Sequence, residues 1–152
     1  MGGSADIAGL AQEGVAVIVA TRDGELRPEV SRAWGPSLSD DGARLTVCVE
    51  ATLDSAMARN LEPGSPLAAV LSRLSSQLAV QLKGRVVAVA ELTEDRRSAV
   101  AEHVDRFVAE TALVGVSEAT ARRLVGPDLL SVTVEISERF DATPGPDSGR
   151  PL

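Results

Sequence analysis

From residue 78 to residue 92 every second side chain is apolar or glycine while most of the chain's polar residues there fall between them, and no other feature of the chain restricts its fold so strongly. Leu78, Val80, Leu82, Gly84, Val86, Ala88, Ala90 and Leu92 fall on one parity; Gln81, Lys83, Arg85 and Glu91 fall on the other. A period of two is the signature of a β-strand with one buried face and one polar face. Fifteen residues exceed an ordinary strand, and Gly84 near the middle predicts a sharp bend of the kind that turns a barrel corner.

The remaining extended runs fit around this strand. Residues 15–21 form a β-branched run that ends at Arg22-Asp23-Gly24-Glu25, and an Asp-Gly pair between extended runs signals a hairpin. The next run, residues 26–38, contains Pro28 and Pro36, which place its ends at an edge or bulge. Ser39-Asp40-Asp41-Gly42 turns the chain again into a third strand over 45–50. Thr52 or Asp54 caps a short helix carrying Leu53, Met57, Asn60 and Leu61 on one face, which Pro63-Gly64 stops. Residues 66–72 read as a fourth strand. Thr93, followed by Glu94 and Asp95, starts a helix whose apolar stripe is Val100, Val104, Phe107 and Val108. A second short helix runs over 117–125 up to Gly126-Pro127, and residues 130–137 alternate as a sixth strand. The order β-β-β-α-β-β-α-α-β is that of an α+β, mainly β domain, a closed or nearly closed antiparallel barrel with flanking helices. One domain is expected over 1–140, followed by a Pro/Gly-rich tail over 141–152 that reads as extended or mobile.

Charge and cysteine content remove several functional classes. A net charge of −7 repels nucleic-acid backbones and anionic membrane surfaces, so neither is an expected partner. The longest apolar run, residues 15–20, is far short of the ~20 needed to span a bilayer, and the chain reads as a cytoplasmic protein. Met1-Gly2-Gly3 does not make a myristoylation site, because Asp6 stands where that motif needs Ser or Thr. Cys48 is the only cysteine, which rules out an intrachain disulfide; on an apolar strand it reads as a small hydrophobe. His103, the only histidine, lies between Val100 and Phe107 on the apolar side of its helix and reads as a structural or interface residue; no metal site is expected. Glu50 and Asp54 flank a turn, where acids serve as capping groups as readily as a general acid and base. The glycine-rich fingerprints of dinucleotide and P-loop sites are absent.

Six segments, in four groups, carry a resemblance. They are Pro28-Glu29-Val30-Ser31-Arg32-Ala33-Trp34-Gly35 with Leu45-Thr46-Val47-Cys48-Val49; Ser55 to Asn60-Leu61 with Gly64-Ser65-Pro66-Leu67; Gln81-Leu82-Lys83-Gly84-Arg85-Val86; and Thr143-Pro144-Gly145-Pro146. Their order and spacing resemble the FMN-binding split barrels of the pyridoxamine 5′-phosphate oxidase family. The resemblance implies a six-stranded split barrel and a homodimer with FMN in a groove shared by two subunits, acting as an oxidoreductase on a small molecule. It places Arg32, Ser55, Arg59, Asn60 and Lys83 around the flavin phosphate, with Trp34 and Gln81 nearer the ring, and assigns no catalytic residue. Met57 stands where many relatives carry a lysine, so one phosphate ligand is absent. Ala79 occupies the place of a family glutamine and no histidine follows His103, so true pyridoxamine-phosphate oxidase activity is not expected. A deazaflavin or haem could replace FMN, and the alternative is a non-catalytic split barrel that binds one of these or no cofactor.

Overall fold

The computed structural model describes residues 6–152; the Met1–Gly3 opening lies outside them. Six strands close into a barrel: β1 (Ala16–Arg22), β2 (Pro28–Leu38), β3 (Arg44–Glu50), β4 (Pro66–Ser72), β5 (Ala79–Ala90) and β6 (Leu129–Asp141). Around the barrel the order is β1-β2-β3-β6-β5-β4, with β4 returning to β1 and every neighbouring pair antiparallel. The expected antiparallel barrel is thus what the chain forms. Among the described residues four helices flank it: α1 (Ile7–Ala11), α2 (Ala56–Asn60), α3 (Glu94–Ala112) and α4 (Glu118–Arg122).

Alternation decides which side chains fill the barrel. Val17 and Val19 of β1, Val47 and Val49 of β3, Leu67, Ala69 and Leu71 of β4, and Val80, Leu82 and Val86 of β5 point inward with Val132 and Val134 of β6. Closing the sheet removes its exposed edges and lets mostly branched aliphatics of modest size fill the interior. The neighbouring positions point outward, where a second cluster forms under α3 and α4 from Trp34, Cys48, Val100, Val104, Phe107 and Ala121.

The two sequence irregularities act as corners. Pro36 lies in the register shift between Trp34 and Ser37, where no ladder N–H is required. Gly84 stays on the inward parity, while β6 carries an extra residue, Ser137, opposite the Lys83–Gly84 step. A Cβ at Gly84 would sit 1.9 Å from the Glu135 carbonyl oxygen, so only glycine permits this approach.

Three expectations need correction. The alternation of β5 does not run through to residue 92: Val87 is an extra residue between the Val86–Val134 and Ala88–Thr133 pairs. Beyond this bulge the parity inverts, so Ala88 and Ala90 face outward and Val89 packs on the core. The tail is not extended, because it turns back on β6: Asp141 N–H donates to the Arg150 carbonyl (2.8 Å) and Leu152 N–H to that of Arg139 (2.9 Å). Finally, α1 went unpredicted, although Asp6 caps it through the Gly9 N–H (2.8 Å) and Leu10 and Ala11 bury its apolar side. No helix among the described residues is long and apolar enough to cross a membrane.

Candidate functional site

The strand registers arrange the outward side chains of β2, β1, β4 and β5 in rows. Arg32 lies across from Ile18, Ile18 from Val70, and Val70 from Gln81. One step along the strands, Val30 pairs with Ala20, Ala20 with Ala68, and Ala68 with Lys83. Neighbouring positions in a row are ~4.8 Å apart and successive rows ~6.8 Å. The result is a shallow apolar floor of Ile18, Ala20, Ala68 and Val70, framed by Arg32 on one side and by Gln81 and Lys83 on the other. No helix covers it. Val30 at its margin is 65% exposed. Lys83 leans toward β6, with Nζ 5.2 Å from the centre of the Phe140 ring.

Of the seven residues singled out from the sequence, the barrel brings Arg32, Gln81 and Lys83 together on this face. Arg59 stands apart at the barrel mouth, exposed, with Nη1 donating to the Asp54 carbonyl (2.7 Å). Three others are committed elsewhere. The Ser55 hydroxyl caps α2, accepting from Ala58 N–H (3.1 Å) and donating to the Thr52 carbonyl (2.7 Å), so its proton is already used. Asn60 is buried and its Nδ2 donates to Thr21 Oγ1 (3.2 Å), tying α2 to β1. Thr21 Oγ1 in turn donates to Met57 Sδ (3.3 Å).

Trp34 shares the outward parity of Arg32 but presents no ring to the open face. It is only 2% exposed, because α3 lies over it. Phe107 meets it edge-on with centroids 5.1 Å apart, and the His103 ring lies 5.7 Å away. Its Nε1–H donates to Glu50 Oε1 (2.8 Å), which also accepts from Gly126 N–H, so Glu50 holds the loop before β6.

His103 is structural, as its position predicted. Gly35 N–H, on a residue with φ of +60°, can only donate, so His103 Nδ1 accepts (3.0 Å). Nε2 therefore carries the proton and donates to the Val15 carbonyl (2.9 Å). Burial pushes its pKa down to about 4, which keeps the ring neutral. Cys48 is buried beside Arg96, and burial pushes its thiol up, away from the reactive thiolate. No group of His, Cys, Asp or Glu among the described residues could hold a metal ion.

Two arginines missed in the sequence join the site. Arg22 ends β1 on the outward parity, and Arg85 follows Lys83 by two on β5, across from Pro66 of β4; the three line one cleft beside the floor. The signal lay in parity: both sit on the same outward face as residues already chosen.

No protein-family model and no curated protein matches the chain. Solved structures do. HupZ of Group A Streptococcus superposes with a TM-score of 0.57 at 16% identity, covering 96% of this chain and 98% of that one. A protein of Lactobacillus delbrueckii described as a putative pyridoxamine 5′-phosphate oxidase gives 0.54 at 21%, covering 90% and 92%. An F420 reductase gives 0.54 at 15%, covering 86% and 93%. With its closed antiparallel barrel and near full-length superposition on these structures, the chain has the split-barrel fold of pyridoxamine 5′-phosphate oxidase-like proteins.

Proposed function

We propose that this chain binds a flavin, FMN in the first place, on the open outer face of its barrel, and that a second copy of the chain closes the groove. The observation that carries this reading is the apolar floor of Ile18, Ala20, Ala68 and Val70 framed by Arg32, Gln81 and Lys83. Small and branched side chains leave a flat surface for a planar ring. Arg32 and Lys83 donate hydrogen bonds, and Gln81 both donates and accepts, so the frame suits the carbonyl and N–H edge of such a ring. A flavin bound there would supply electron and hydride transfer, and the protein's share would be position, charge and exclusion of water. The substrate would be a small molecule held in the same groove. One wall cannot enclose a ring, and this half-buried face is the surface on which a homodimer would supply the other.

Haem fits these residues poorly. His103, the only histidine, has both ring nitrogens engaged in the core; Cys48 is buried under α3; Met57 is buried beside Thr21. None offers an axial ligand on the open face. A second reading, a non-catalytic barrel that sequesters a deazaflavin or binds no cofactor, draws on the burial of Trp34, which leaves Phe140, across from Gln81 at the edge, as the aromatic ring beside the floor. The F420 reductase among the structural relatives is consistent with a deazaflavin.

An absorption spectrum of the freshly purified chain, followed by titration of FMN under fluorescence, tests the reading. Flavin bands that co-elute with a dimer, or quenching on titration, are expected, and Arg32→Ala should weaken binding by roughly tenfold or more. Colourless protein that leaves FMN fluorescence unchanged would favour the non-catalytic reading.

A further inference from the structure

The tip of the β1–β2 hairpin has a leucine where its backbone calls for glycine, and a glycine where any residue would serve. Asp23 N–H donates to the Arg27 carbonyl and Leu26 N–H to that of Asp23, 3.1 Å each, which closes a three-residue loop of Gly24, Glu25 and Leu26. A loop of this kind ends in a left-handed residue, the ordinary place of glycine or asparagine. Leu26 occupies it at φ +64°, whereas Gly24 stays out of the left-handed region and has open space around it.

Nothing within the chain rewards this conformation. Leu26 is 69% exposed and belongs to neither hydrophobic cluster. The Asp23 carboxylate nevertheless clamps the loop, accepting from Glu25 N–H (2.8 Å), Arg27 N–H (3.0 Å) and Arg27 Nε (2.7 Å). A strained apolar residue that its surroundings hold in place, and that packs on nothing of its own chain, marks an outside contact.

Charge and position say with what. The net charge of −7 opposes the approach of a second copy over most of the surface, yet residues 22–32 hold three arginines and three acids. The hairpin is therefore neutral ground on which two copies can meet. Val30, at the margin of the apolar floor, is four residues further along, or ~13 Å of extended chain. In a two-fold dimer each contact occurs twice with the roles exchanged, so two Leu26–Val30 contacts can flank one axis.

We propose that Leu26 is a knob that a second copy of the chain contributes, seated on Val30 at the margin of the apolar floor. This rests on the reading of that floor as a groove completed by a dimer, and it names the residue through which the dimer reaches the groove.

Leu26→Asn keeps a residue that accepts the left-handed turn and removes the apolar group. Light scattering of the full chain over a dilution series should show the variant dimer dissociating at concentrations roughly tenfold or more above those of the unaltered chain. Its Tm, measured where both are monomeric, should be equal or higher, because the strain is relieved. Val30→Thr should weaken the dimer too, and the double variant no more than the worse single one, since the two residues share a contact. A chain that is monomeric throughout, an unchanged Leu26→Asn dimer, a lower Tm for that variant, or fully additive losses would each overturn the knob. FMN fluorescence of the same samples separates it from the flavin reading. Quenching by a chain that stays monomeric overturns the knob and leaves flavin binding standing; a dimer that Leu26→Asn weakens but that never quenches FMN supports the knob and removes the flavin.

Discussion

The barrel has two outer faces built by the same alternation, and they differ in what covers them. Around Trp34 and Cys48, α3 and α4 lay Val100, Val104, Phe107 and Ala121 onto the strands. Ile18 and Val70, half-buried, join neither core cluster of the described residues, and their floor is edged by Arg32, Gln81 and Lys83. The first face carries a large aromatic ring and a thiol, which gain from burial; the second carries small aliphatics and long cations, which tolerate water. Strand parity alone therefore says which residues leave the core. Whether they meet a helix or an open groove depends on packing between elements far apart in sequence.

The contrast should first appear in stability. Trp34→Ala removes a fully covered ring and its bond to Glu50, and should cost about 3–5 kcal/mol in denaturant unfolding. A loss below about 1 kcal/mol would mean that the helices do not rest on this ring. A second effect belongs to the same covered face. His103 has a folded pKa of about 4 against an ordinary 6.5, so between these values the unfolded chain binds more protons than the folded one. Stability should therefore fall as pH drops from about 6.5 toward 4 and level off below, by on the order of 3 kcal/mol in all. Asp23, Asp41, Glu110 and Asp141, whose carboxyls hydrogen bonds hold below their usual range, lose their contribution only at lower pH, so the upper half of that window isolates the histidine. Unfolding midpoints at pH 7 and 5 that coincide would contradict the buried neutral ring. The smallest effect is on the open face: Ile18→Ala should cost about 1 kcal/mol or less at concentrations where the chain is monomeric.

Much of the barrel was legible because its strands are short-period patterns closed by Gly, Pro and Asp turns. β4 was read over the residues it occupies, and Gly84 and Pro36 were recognised as corners. What escaped was long-range. The bulge at Val87 depends on how β6 registers against β5 and leaves no mark in composition, since Val86, Val87, Ala88 and Val89 are all apolar. Trp34 was placed near the ring by the resemblance, and although it shares the outward parity of Arg32, the docking of α3 covers it. Ser55 and Asn60 carry suitable polar groups, but local capping and the Thr21 contact claim them first. Arg22 and Arg85 could have been found by extending the parity of Arg32 and Lys83 around the barrel.

The claim beneath all of this is that the open face is the binding face. Ala20 stands at its centre, outside the core, so Ala20→Glu should fold normally while placing a carboxylate on the apolar floor. An FMN fluorescence titration of this variant, with molecular mass followed by light scattering, tests the claim directly. The account predicts a folded monomer that no longer quenches FMN; a variant that dimerises and binds FMN as the unaltered chain does would contradict it.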